Sequence, residues 1–162
     1  MGDQLNLDMV SYWTREKPLL REMQRVMKEY EGFDYEILKV HEELVKAERV
    51  WMIGNHEYRV TNYLESHPEL IGMLEPEIWL KLEKRKYEVI PFNHAYKLGK
   101  LNVIHGWYHN QQHAKKHVFD FERNVVYAHN HTCQEFTKHS PMDVKDFHSA
   151  TCLPCLCDLN PD

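Results

Sequence analysis

Three short apolar runs, each ending in a block of asparagine or histidine, constrain this chain more than any other feature of its sequence. Residues 50–53 read Val-Trp-Met-Ile and lead into Gly54-Asn55-His56-Glu57. Residues 102–104 lead into His105-Gly106, and residues 125–128 into His129-Asn130-His131. Runs of this length suit strands buried on both faces. Segments with helical periodicity separate them, and strands interleaved with helices predict an α/β layered fold. The carboxyl ends of such strands are where α/β sheets keep their sites.

The remaining segments fit that architecture. A helix is expected over 16–30, with Pro18 tolerated in its first turn and a break at Glu31-Gly32. A second is expected over 34–47, with Asp34 as N-cap and Ile37, Leu38, Val40, Leu44 and Val45 as its apolar face. Further helices are expected over 57–66, 77–84 and 109–119. A strand is expected over 87–91, and Gly99-Lys100 reads as the turn of a hairpin between 95–98 and 101–104. The last thirty residues read as strand and loop. Neither a repeat nor a linker divides the chain, so residues 1–162 read as one domain, with 43% hydrophobic residues to build a core. Trp13, Trp51, Trp79 and Trp107 are expected in the core or in a cleft wall.

Charge and hydropathy narrow the function classes. No apolar run approaches the ~18 residues of a membrane span, and the first residues lack the basic-then-apolar order of a secretory leader. The expectation is therefore a cytoplasmic protein without a membrane partner. The net charge of −5 argues against a surface that coats nucleic acid. It leaves room for an enzyme that meets a phosphodiester at a metal centre. The basic run 81–86 reads as a solvated helix face.

Twelve histidines suggest metal or acid–base chemistry. Residues i and i+2 of an extended segment face the same way, so His129 and His131 can point together. Mixed Asp, Asn and His donors suit a pair of ions such as manganese, iron or zinc. Two such ions can act together on a phosphoryl group. A bridging ligand must be a carboxylate, and Gly2-Asp3 offers one. His109, His113 and His117 form a stripe on the helix after His105; two of them read as solvated and His113 as facing the cleft, with a separate zinc site as the alternative. Cys133, Cys152, Cys155 and Cys157 read as thiols, with a structural zinc site at the C-terminal three as the alternative.

In this order, Gly-Asp, Gly-Asn-His-Glu, His-Gly and His-x-His resemble the calcineurin-like metallophosphoesterase family. The likeness runs from Gly2 to about His131. Arg59 and the Cys-Leu-Cys-Asp run near the end look most like its phage-encoded members, which would place the protein in a host cytoplasm. The resemblance implies a two-sheet sandwich flanked by helices and a dinuclear centre. Asp3 would bridge the metals. Asn55, His105 and His129 would complete one shell, and His131 would bind the other ion. His56 would be the catalytic histidine, and Arg59 would hold a phosphate oxygen.

The sequence departs from the family pattern. The opening Asp-x-His motif and its strand are missing. Asn6 stands where a second aspartate is usual, with Asp8 close by, and Ala128 replaces the glycine before His129. The expectation is a domain truncated at its N-terminus, and also at its C-terminus. Its reaction would be hydrolysis of phosphate esters, phosphodiesters above all, on a nucleic acid or nucleotide substrate. The alternative is a metal-binding or partner-binding remnant with impaired catalysis. The motifs do not discriminate among phosphate esters or among the three metals, and carry no signal of oligomeric state.

Overall fold

Residues 49–52 and 87–90 pair side by side as parallel strands, burying Trp51, Met52, Tyr87 and Ile90. The structure, a computed structural model, describes residues 1–22, 25–143 and 145–155. It is mixed α/β, with two sheets and several helices. The chain divides into two compact units: Gly2–Phe92, and Asn93 onward together with Met1.

In the first unit, helix α1 (Pro18–Glu22) precedes a longer helical run: α2 (Val26–Phe33), a π-type stretch (Asp34–Leu38) and α3 (Lys39–Leu44). Helical dihedrals persist at Phe33, Asp34, Leu38 and Lys39, so Glu31-Gly32 does not break the helix. The break falls earlier, where Arg25 is extended. A single glycine costs a helix only about 1 kcal/mol, and the surrounding turns outweigh it. The expected apolar face is also displaced. Leu38 is buried, while Ile37, Val40 and Leu44 are exposed. A π-type turn inserts an extra residue and shifts the phase of the stripe.

Strand β1 (Arg49–Met52) pairs in parallel with β2 (Tyr87–Ile90). Between them, α4 (Tyr58–Ser66) buries Val60 and Leu64 one turn apart. The core joins these to Leu5, Leu7, Tyr30, Trp51, Leu80 and Leu82. Helix α5 is short (Pro76–Trp79), and the basic run 81–86 is turn rather than helix. Lys81 and Lys86 have positive φ, Leu82 is buried, and Arg85 pairs with Asp34 and Glu42. Of the four tryptophans, Trp51 is buried and Trp79 packs on this core, whereas Trp13 and Trp107 are exposed.

The second unit is a five-stranded sheet in the order β3 (Tyr96–Leu98), β4 (Leu101–Val103), β5 (Asn124–Tyr127), β7 (Phe147–Cys152), β6 (Gln134–His139). The hairpin of β3 (Tyr96–Leu98) and β4 (Leu101–Val103) turns at Gly99-Lys100 as the sequence predicts. Helix α6 (His113–Phe121) crosses over to β5 (Asn124–Tyr127), parallel to β4. Strand β7 (Phe147–Cys152) lies parallel to β5 and antiparallel to β6 (Gln134–His139). Ala114 and Val118 of α6 pack on Ile104, Val125, Tyr127, Ala150 and Cys152. The helix begins four residues later than expected. Residues 107–112 form a loop, and the Gln134 side chain accepts the Ala114 N–H at 2.7 Å, a side-chain partner for the first turn.

Candidate functional site

In the first unit the candidate residues lie on the turn after β1. Gly54 opens the turn, and α4 starts at Tyr58, whose N–H reaches Gly54 O at 3.0 Å. Asp3 lies against this turn and accepts the His56 backbone N–H at 2.9 Å. A Cβ at position 54 would overlap Asp3 and approach Glu57 Oε2 to 2.9 Å, so only glycine allows the approach.

Glu57 holds the arrangement together, and the sequence reading gave it no role. Its carboxylate is 2% exposed and accepts from the N–H groups of Asp3 (2.9 Å), Leu5 (3.0 Å) and Gly54 (2.8 Å). Burial pushes its pKa up, and the backbone donors pull it back. Glu29 does the same for the next residues, accepting from the N–H groups of Asn6 and Leu7. Two acids thus fix a loop in which Asp3 and Leu7 both have positive φ. The available signal was the fourth letter of Gly-Asn-His-Glu, an acid at the start of a helix.

His56 is half-buried. Desolvation lowers its pKa, and Arg59 lowers it further, while Asp3 and Asp8 oppose both. A largely neutral imidazole at neutral pH follows. Arg59 donates to Asn6 O at 2.6 Å and to Asp8 Oδ1 at 2.7 Å. Asn6 donates to the other oxygen of Asp8 at 2.8 Å. Arg59 and Asp8 therefore brace the loop in this structure. Asn55 lies in the turn between β1 and α4, partly buried.

The second unit brings two predicted ligands together. His105 follows β4 and His129 follows β5, and neighbouring parallel strands place their tips at one edge. Ala128 N donates to His105 O at 3.0 Å, extending the ladder to the site. Gly106 makes this closeness possible. Its φ is +135°, and a Cβ there would lie 2.9 Å from His129 Cβ. The His105 and His129 rings are 4.7 Å apart between centroids, and their ligand nitrogens lie within 4.8 Å. His105 Nδ1 meets the Met1 carbonyl at 2.9 Å. A carbonyl can only accept, so Nδ1 carries a proton. A metal-ligating histidine usually donates its other ring N–H to a carbonyl in this way, and the pair fits a divalent ion on that ground.

His131 is not joined to them. The segment after β5 is bent rather than extended, with φ of 79° at His129 and 53° at His131, so the i, i+2 argument loses its premise. His131 is exposed, and among the described residues it enters no cluster of metal-type side chains.

The histidine stripe also differs from expectation. His113 and His117 are both buried. His117 donates from Nδ1 to His113 O at 2.8 Å and accepts the Trp107 N–H on Nε2 at 3.2 Å. Burial lowers its pKa to about 4. His113 bonds to the Tyr127 hydroxyl at 2.5 Å and so serves the core rather than a cleft. His109 precedes the helix and lies against His129. Cys133 and Cys152 are free thiols, and among the described residues no metal-type cluster contains a cysteine. Cys157 and the rest of the Cys-Leu-Cys-Asp run beyond Cys155 lie outside the described residues.

No family model matches the chain, and neither does any curated protein or solved structure. No described helix is long and apolar enough to cross a membrane.

Proposed function

We propose that the chain is a metal-dependent phosphoesterase of the calcineurin-like kind, acting on phosphodiesters of a nucleic acid or nucleotide. His105 and His129 are the proposed ligands of a divalent ion; Asp3, Asn55 and His131 would be ligands by the resemblance alone. The observation that carries the reading is the His105–His129 pair, two imidazoles at adjacent parallel strand tips with the His105 proton held on Nδ1 by a carbonyl. A bound ion pair supplies Lewis acidity at the phosphoryl oxygens. His56 is the proposed catalytic histidine, its neutral ring N–H stabilising the charged phosphoryl oxygens, and the Asp3–His56 backbone bond fixes the turn that carries it. Glu57 orients Asp3 by holding its backbone.

A second reading, a one-metal binding domain with impaired catalysis, is favoured by His131, which stands outside any metal-type cluster of the described residues. One experiment separates the two. The chain is assayed on a chromogenic aryl phosphodiester with added manganese, beside His56→Ala. Under the first reading the parent turns over, and the variant loses roughly 10²–10⁴ in rate while still taking up metal. Metal uptake without turnover in the parent supports the second reading. Equal rates in parent and variant remove the role of His56.

A further inference from the structure

Strand β6 is the last strand of its sheet, and only β7 pairs with it among the described residues. A strand turns its N–H and C=O groups alternately to its two sides, so β7 can take only one set. Among the described residues, no backbone group of Glu135–Lys138 bonds to anything beyond that ladder. Two usual guards of an edge are missing. The strand has no proline, and its register runs unbroken from Gln134 to His139, without a bulge. Lys138, a residue type that guards edges, reaches instead the ring of Phe119 on α6, at 4.7 Å. The even-numbered side chains face α6: Gln134 accepts the Ala114 N–H, and Phe136 packs on the core and lies 6.1 Å from Phe119 between ring centroids. Glu135, Thr137 and His139 alternate with them and face the other way.

We propose that β6 is the self-pairing edge of a symmetric dimer, joined antiparallel to β6 of a second copy with the two-fold axis at Thr137. Symmetry limits the registers. An axis normal to the sheet keeps every side chain on its own face, and directly opposed residues share a face, so only positions of like parity can meet. The axis then passes through one residue, which faces itself. Centred on Thr137, the strand sets Thr137 against its own copy, Glu135 against the second copy's His139, and Phe136 against the second copy's Lys138. Each pair is complementary: two hydroxyls exchange a hydrogen bond, a carboxylate meets an imidazole, and an ammonium meets a ring. Glu135 and His139 are both exposed. Centring on Phe136 instead would set Glu135 against Thr137 and lose the carboxylate–imidazole pair twice over. A second copy is thus the occupant that the edge matches by its own charge pattern, and the joined sheet would run through five strands of each copy. The inference is independent of the metal reading.

The test is sedimentation equilibrium of the full chain over a range of concentrations. The parent is expected to dimerise reversibly. His139→Glu sets two carboxylates against each other at both ends of the interface and should weaken association roughly tenfold or more. Adding Glu135→Lys to it should restore association, because lysine then meets glutamate. Within one strand these positions stand about 13 Å apart, so the rescue reads a contact between copies. Thr137→Glu and Thr137→Lys should each associate weakly alone and pair when mixed. Circular dichroism melts of the dilute chains should show every variant folded like the parent. A parent that stays monomeric at millimolar concentration overturns the proposal, and so does a dimer that no variant weakens. Weakening by His139→Glu that Glu135→Lys fails to reverse overturns the register, as does a tighter dimer from Thr137→Lys alone.

Discussion

Glu57 shows how much of the site's geometry rests on one buried side chain. Its two oxygens accept three backbone N–H groups, from Asp3, Leu5 and Gly54. Glu57→Ala removes every acceptor at once. An unsatisfied buried donor costs about 1–3 kcal/mol, so the expected loss of stability is roughly 3–5 kcal/mol, read as a lower denaturant midpoint. Glu57→Gln keeps an oxygen and should lose less; similar midpoints for Ala and parent would show that the carboxylate is not the clamp. His117 makes a second residue-scale prediction, through pH. It is neutral in the fold, with a pKa lowered to about 4, whereas the unfolded chain protonates near the ordinary value of about 6.5. Between these values the unfolded state binds more protons, so stability is full above about 6.5 and is lost as pH falls toward 4. His56, His109 and His113 are shifted the same way and add to the slope. His117→Gln should lower the melting temperature at pH 7.5 and flatten its decline between pH 7 and 5. An undiminished decline would rule out His117 as a main contributor.

Two glycines on different elements should respond in opposite directions. Gly32 lies inside α2 with nothing within 4 Å of its would-be Cβ. Gly32→Ala should raise stability by about 0.5–1 kcal/mol, since alanine loses less backbone entropy on entering a helix. Gly106 joins β4 to the loop at φ +135°, where a Cβ would crowd His129 Cβ and the Ala128 carbonyl, at 2.9 and 3.0 Å. Gly106→Ala should cost roughly 1–3 kcal/mol in strain and displace the His129 turn, weakening cobalt uptake. Thermal melts with a cobalt titration check both; a neutral Gly106→Ala would mean that the strand tips have room to spare. This contrast also shows why the strands were legible in the sequence and the helices less so. A buried strand is a short apolar run with sharp ends, and β1, β2, β4 and β5 fall within a residue or two of the predicted ranges. Breaks in the helices depended on context that composition does not carry. The α-helix runs on through Gly32, and the loop 107–112 postpones α6.

At the scale of the whole molecule, two cores form, each around its own sheet. Residue types and strand tips were readable from the sequence, and His105 and His129 meet as their motifs suggest. Supporting contacts were not readable, because Glu57, Glu29 and Asn130 act through backbone groups far away in the chain, and nothing in a local pattern announces such partners. A ligand that binds only the folded state stabilises it by RT ln(1 + [L]/Kd), about 2.7 kcal/mol at a hundredfold excess over Kd. For a chain of 162 residues, each kcal/mol moves the midpoint by about 2–4 °C. The proposed reading therefore predicts that zinc at that excess raises the melting temperature by roughly 5–10 °C, and that a chelator reverses the gain. Hydrogen exchange then reads the donors. Slowed exchange at residues 104–110 and 128–130 is expected from imidazoles of the second unit. Slowed exchange at residues 2–7 and 54–57 as well is expected if Asp3 and Asn55 are also ligands. Protection confined to the first set would remove Asp3 and Asn55 from the shell and leave His105 and His129. Protection in neither set, with no rise in melting temperature, would end the metal reading altogether.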